Sequence, residues 1–222
     1  MTEIIYDKKD IIDIGCKKIS RSINKILDKK EIVIFGTAGG SSIKKIFKNI
    51  NKIDIRWEKI HIFMADERYV PIDSKYSNFH LVKESLEGLI PVENLHPFFY
   101  DKKNPISEYE KEFKKYSDKC DIILLSSGED GHIASIFPDH HSMKDESDYF
   151  IKVDNSPKPP SERISMSKKL ISKSEISYLF IIGDSKKESY KKYLDEKIDI
   201  RNCPSKLVNF IDKSYILTDI KT

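Results

Sequence analysis

Four stretches of this chain carry residue types able to do chemistry. In the first, Asp130-Gly131-His132 follows a purely apolar run, Ile122 to Leu125, through Ser126-Ser127-Gly128-Glu129. An imidazole has an unperturbed pKa of about 6.5, which suits a general base at neutral pH. A lone histidine of this kind is also compatible with a structural role. The second stretch, Gly36-Thr-Ala-Gly-Gly-Ser-Ser42, offers backbone N–H groups and hydroxyls where a helix begins. Free donors and the helix dipole suit phosphate there, through Gly39, Gly40, Ser41 and Ser42. The segment lacks the lysine of a P-loop and the spacing of the dinucleotide fingerprint, which disfavours ATP and NAD. A tight turn with helix caps is the plainer alternative. In the third, Asp66-Glu67-Arg68 places two acids and a guanidinium at the end of an apolar run, and Arg68 can grip a phosphate or carboxylate bidentately. A surface ion pair would use the same residues. The fourth, Lys158-Pro-Pro-Ser-Glu-Arg163, is a stiff basic loop that either reaches over an anion or merely connects elements. Asp139, His140 and His141 are adjacent and lack a spaced fourth ligand, so no metal site is expected.

The elements that must position these residues alternate along the chain. Apolar spacing from 10 to 28 predicts an amphipathic helix, and the runs at 32–35, 60–64, 122–125 and 178–182 read as strands buried on both faces. Helical spacing follows at 43–50, 79–89, 106–119 and 185–194, with a helix start after Gly131 that takes in Ser135. Shorter runs at 149–153 and 215–217, a final turn of helix at Pro204 and an irregular proline-bearing segment at 91–105 complete the pattern. Strand–helix alternation predicts a single α/β domain over residues 1–222, with a doubly wound, mostly parallel sheet flanked by helices in a Rossmann-like arrangement. Such sheets bind ligands at the C-terminal strand edge, where residues 36–42, 65–68 and 126–132 would meet.

Composition excludes several classes. The 39 basic and 36 acidic residues are mixed throughout and leave a net charge of +3, so no nucleic-acid partner is expected. No apolar stretch approaches the roughly 18 residues needed to cross a bilayer, and the first residues lack a signal-peptide pattern. The three cysteines, Cys16, Cys120 and Cys203, are scattered and suit free thiols in a reducing, cytoplasmic setting.

Taken together the segments resemble the 6-phosphogluconolactonase family, which is grouped with the glucosamine-6-phosphate deaminases. Ala38-Gly-Gly-Ser-Ser-Ile43 is similar to the family's Ser-Gly-Gly-Ser-Thr-Pro loop, and Asp66-Glu-Arg68 with Ser77-Asn78 to its Asp-Glu-Arg … Ser-Asn segment. Gly128-Glu-Asp-Gly-His-Ile-Ala-Ser-Ile-Phe-Pro138 resembles Gly-x-Asp-Gly-His-Thr-Ala-Ser-Leu-Phe-Pro, Lys158-Pro-Pro-Ser-Glu-Arg-Ile164 resembles Lys-Pro-Pro-x-x-Arg-Ile, and Pro204-Ser205 resembles a late Pro-Ala-Ser. The departures are Ala38, Ile43, Ile133 and the pair Ser126-Ser127, where the family usually has Gly-Met. Ile133 matches the deaminases, yet Ser135-Ile-Phe-Pro138 and the Lys-Pro-Pro loop do not, leaving the deaminase, and a non-catalytic sugar-phosphate binder, as alternatives. The resemblance implies hydrolysis of 6-phospho-D-glucono-1,5-lactone without cofactor or metal, by a monomer or weak homo-oligomer. It also implies His132 as general base, Asp130 or Asp66 as orienting acid, N–H groups near Gly131 for the oxyanion, and Arg68, Lys158 or Arg163 on the substrate.

Overall fold

The computed structural model describes residues 1–50 and 52–221. In chain order its elements are β1 (Thr2–Tyr6), α1 (Ile11–Leu27), β2 (Val33–Thr37), α2 (Ser41–Ile50), β3 (Ile60–Met64), β4 (Asp66–Arg68), α3 (Asn78–Ser85), β5 (Leu95–His96), α4 (Pro105–Lys114), β6 (Ile122–Ser126), α5 (His141–Lys144), β7 (Phe150–Val153), β8 (Arg163–Met166), α6 (Lys168–Ser172), β9 (Ile176–Ile181), α7 (Lys187–Leu194) and β10 (Lys213–Thr218). Seven strands form one parallel sheet in the order β1-β10-β9-β6-β2-β3-β5.

Strand pleating sends successive side chains to opposite faces, and both faces here are covered. Ile122 and Leu124 of β6 pack with Phe35, Tyr178, Phe180 and the apolar sides of α1, α2 and α3. Ile123 and Leu125, one residue out of phase, pack with Leu179, Ile181, Ile216 and the residues of α4, α6 and α7. Burial on both faces is why the central strands read as unbroken apolar runs. The doubly wound architecture expected from the alternation is the one observed.

Several features depart from the sequence reading, among them β1, which no pattern announced, β5 inside the segment read as irregular, and α4, which stops at Lys114 rather than 119. Arg163–Met166, flanked by Asp66–Arg68 and Phe150–Val153, forms a second, antiparallel sheet in the order β4-β8-β7. The run at 149–153 supplies β7, whereas β4 is three polar residues with no apolar pattern and β8 follows directly on the proline loop, so the pairing of the three is not announced by the sequence. Residues 133–140 form no helix; an isolated bridge joins Ile133 to Ile136, with Ala134 at φ 49° and Asp139 at φ 50°. Ser135, read as a helix start, is instead fully buried, its N–H donating to Ser165 Oγ and its hydroxyl to Asp66. Tertiary partners there outweigh local helix propensity. The third helix also stops at Ser85 rather than continuing to 89.

At the N-terminal end of the sheet, the fully buried Asp121 accepts from Ile34 N–H at 2.8 Å and from Lys30 Nζ, tying β2 to the start of β6. Asp121→Ala strands a buried N–H and unpairs the half-exposed lysine. It is expected to lower stability by about 2 kcal/mol, seen as a lower urea midpoint at unchanged m-value.

Candidate active site

The turns after β2, β3 and β6 open on one edge of the sheet, as parallel topology requires. There a cavity of about 280 Å³ is lined by residues of the glycine loop, Asp66, Arg68, Asn78, residues 126–129, His132, Lys158, Arg163 and Lys186. Gly39, Gly40, Ser41, Ser42, Asp66, Arg68, His132, Lys158 and Arg163, which the sequence singled out, thus come together. Four cations face the space, Arg68, Lys158, Arg163 and Lys186, against the carboxylates Asp66 and Glu129.

The glycine loop presents donors to this cavity. The N–H groups of Gly39 and Gly40 have no partner among the described residues, and those of Ser41 and Ser42 open α2, where no intrahelical acceptor exists. Gly40 has φ +100°, a left-handed conformation costly for other residues. At Gly39 the reason is space: an added Cβ would lie 1.9 Å from Asn78 Oδ1.

His132 is set from three directions. Its Nδ1 lies 2.5 Å from Asp130 Oδ1, and the same oxygen accepts the His132 N–H at 3.2 Å. Burial alone would raise Asp130, but the hydrogen bond and charge of His132, with Lys158 beyond, hold its carboxyl well below the usual carboxylate range. A carboxylate can only accept, so Nδ1 carries a proton, and the neutral ring has its lone pair on Nε2. The ring packs on Phe137, centroids 4.6 Å apart. On the other side an added Cβ at Gly128 would come within 2.1 Å of the imidazole, so only glycine admits this pairing. Below, Ser205 N–H donates to Gly131 O at 2.8 Å, which accounts for the Pro204-Ser205 motif as a clamp on the turn.

Gly131 lies elsewhere than expected. It does not line the cavity, and its N–H already donates to Gly128 O at 3.2 Å, so it shapes the turn rather than offering an oxyanion donor. Asp130 likewise stands behind His132, not on the cavity wall. Of the two acids offered as orienting groups, Asp130 takes the imidazole. Asp66 accepts instead from Ser135 Oγ at 2.7 Å and Asn78 Nδ2 at 3.2 Å, with Arg163 Nη1 3.8 Å away. Arg163 is buried and donates from Nε to Pro160 O at 3.1 Å and from Nη2 to Lys158 O at 2.8 Å, so it fixes the proline loop from beneath. Arg68 is less engaged: Nη1 donates to Tyr76 O at 2.5 Å, while its buried Nε has no partner among the described residues. His140 and His141 make loop contacts, to Ser142 Oγ at 3.0 Å and Asp154 O at 2.9 Å.

Lys186 escaped the sequence reading. It follows β9 in Gly183-Asp184-Ser185-Lys186, a fourth strand-to-helix turn at the same edge, and its only readable signal was that position. Burial pushes its ammonium down to about 8, with Glu129 and Asp219 opposing and Lys158 reinforcing. Asn78, at the start of α3, was noticed only as half of a motif. The tautomer assignment has a direct check: imidazole ¹⁵N shifts of His132 should report protonated Nδ1 in the native chain, and Asp130→Asn should abolish that preference while the melting temperature changes little.

Comparison with known proteins places this geometry. The family model described as Glucosamine-6-phosphate isomerases/6-phosphogluconolactonase matches residues 6–216. A 6-phosphogluconolactonase of Borreliella burgdorferi is 32% identical over 207 residues, covering 89% of this chain and 88% of that protein. The crystal structure of 6-phosphogluconolactonase from Thermotoga maritima superposes with a TM-score of 0.87 at 26% identity, over 98% of this chain and 99% of that one. The Trypanosoma brucei enzyme shares the fold at 21% identity, with a TM-score of 0.81 over 98% of this chain and 95% of its own. The chain belongs to the glucosamine-6-phosphate isomerase/6-phosphogluconolactonase family.

Proposed function

We propose that this protein hydrolyses 6-phospho-D-glucono-1,5-lactone to 6-phosphogluconate, with His132 as general base. The observation that carries the reading is the Asp130-held imidazole opening onto a cavity that also contains free N–H donors and four cations. A phosphorylated sugar lactone offers both an anion for the donors and an ester carbon for the base. The names of the relatives support the same reaction.

In this mechanism the phosphate sits at the N–H groups of Gly39, Gly40, Ser41 and Ser42, where the α2 dipole favours negative charge. Lys186 and the Arg68 guanidinium complete the grip, and Lys158 closes over it on the loop that Arg163 supports. With the ring fixed, His132 Nε2 takes a proton from a water whose oxygen attacks C1. Charge developing on the carbonyl oxygen faces a cavity rich in cations. The C1–ring oxygen bond then breaks, and the imidazolium returns its proton to the departing oxygen, which becomes the C5 hydroxyl. Asp130 stays ionised throughout and stabilises the transient imidazolium. The whole chain works as one domain, as a monomer or weak homo-oligomer. Among the described residues no helix is long and apolar enough to cross a membrane, and the three cysteines are free and buried, in keeping with the reducing cytoplasm where we place it.

The test is lactone hydrolysis on freshly generated substrate beside the spontaneous rate, with ammonia release from glucosamine 6-phosphate as the parallel arm. The native chain should accelerate the first and not the second. His132→Ala should lower kcat by about 10²- to 10⁴-fold, with 6-phosphogluconate binding retained. Near-native turnover in that variant would remove His132 from the base role.

A pH prediction follows from Lys186. Its cation exists below its pKa of about 8 and disappears above it, whereas a phosphomonoester is already dianionic above about pH 6. Affinity for 6-phosphogluconate should therefore fall as pH rises through about 8, and Lys186→Arg should flatten that limb, both read by calorimetric titration.

A further inference from the structure

Ser126 ends β6 at the cavity wall, and its Oγ lies 2.8 Å from Lys186 Nζ. Among the described residues that hydroxyl is the sole hydrogen-bond partner of the ammonium, and no carboxylate comes within ion-pair distance of it. Lys168 and Lys30, by contrast, are each paired with an acid. The family pattern has glycine where this chain has Ser126, so the contact belongs to this chain's own departure.

We propose that Ser126 is a positioning residue for phosphate capture, its hydroxyl holding the Lys186 ammonium against the cavity wall without neutralising it. The inference rests on the phosphate-binding part of the proposed function and names a determinant within it.

A hydroxyl does here what neither glycine nor a carboxylate can. Lysine carries its charge on a flexible stem, and fixing that stem costs rotamer entropy each time a ligand binds. A hydrogen bond formed before the ligand arrives removes part of that cost. A carboxylate would fix the stem equally well but would cancel the charge the phosphate needs. Ser126 is uncharged, and its oxygen accepts from Lys186 while its own proton stays free for a phosphate oxygen. When Lys186 loses its proton the roles reverse and the hydroxyl donates, so the head stays in place in both states. The charged groups around Lys186 are Glu129 on the turn after β6, Lys158 on the proline loop and Asp219 after β10, and none is hydrogen-bonded to Nζ.

The experiment compares dissociation constants of 6-phosphogluconate and of gluconate by calorimetry for the native chain, Ser126→Ala, Ser126→Thr, Lys186→Met and the Ser126→Ala/Lys186→Met double variant. Thermal melts verify folding. Ser126→Ala should weaken 6-phosphogluconate by roughly tenfold and leave gluconate unchanged. Ser126→Thr, which keeps the hydroxyl, should restore binding, and Ser126→Ala should cost nothing further once Lys186 is methionine. Equal losses for both ligands, or additive losses in the double variant, overturn the proposal. Because binding is read directly, a native chain that binds 6-phosphogluconate yet fails to hydrolyse the lactone would sink the enzymatic reading and leave this one standing.

Discussion

Two adjacent buried carboxylates, Asp66 and Glu67, hold the cavity edge of this protein together. A buried ionised group is tolerable only when surrounded by donors, and these two recruit theirs from different parts of the chain. Glu67, 1% exposed, accepts from the backbone N–H groups of Arg68, Asn78 and Phe79 and from the Ser77 hydroxyl, between 2.6 and 2.9 Å. Burial still raises it above the ordinary glutamate range despite those four donors, a sign of how dry its surroundings are. It fixes the first turn of α3, and with it Asn78, against which the glycine loop closes. Asp66 reaches the other way, to Ser135 on the histidine loop and toward Arg163 beneath the proline loop. One dipeptide therefore ties together the glycine loop, the histidine loop and the proline loop.

The two halves of the site use charge in opposite ways. At the histidine, charge is localised: Asp130 sits against Nδ1 and fixes one tautomer, and under the proposed mechanism it would make a proton-bearing imidazole less costly. At the glycine loop, positive charge is left uncompensated. The Nε of Arg68, the N–H groups of the loop and the Lys186 ammonium are all short of partners among the described residues. Groups left this way would be satisfied by the anion of the proposed substrate. Arg163 marks the boundary. Its guanidinium is occupied by backbone carbonyls and Asp66, so it builds the site more than it awaits a ligand.

Close approach, as much as charge, dictates residue identity here. Gly39 lies against Asn78 and Gly128 against His132, at distances no Cβ would allow. Each is glycine because a distant or looping side chain occupies the space. The same logic explains Ser126-Ser127, the departure that stood out in the sequence. Ser127 is buried, its N–H donating to Phe180 O and its hydroxyl turned to Gly128 O, so the turn keeps its shape while the Ser126 hydroxyl meets Lys186.

The sequence by itself determined the parallel sheet, because strands covered on both faces must be apolar throughout. It also determined the convergence of the glycine loop, Arg68 and His132, because parallel strands end on one edge. The family motifs then named the chemistry. Tertiary structure decided what depends on contacts between distant residues. The β4-β8-β7 sheet exists because Asp66–Arg68 pairs with Arg163–Met166, nearly a hundred positions away, and three polar residues carry no periodicity to reveal it. Ser135 belongs to Asp66 rather than to a helix, and Gly131 to the turn rather than to an oxyanion, for the same reason: a buried donor or acceptor takes whichever partner the fold delivers. Lys186 stayed hidden because an isolated lysine after a strand looks like any solvated surface charge. Only its burial beside Ser126, at an edge assembled from four separate turns, makes it part of the site.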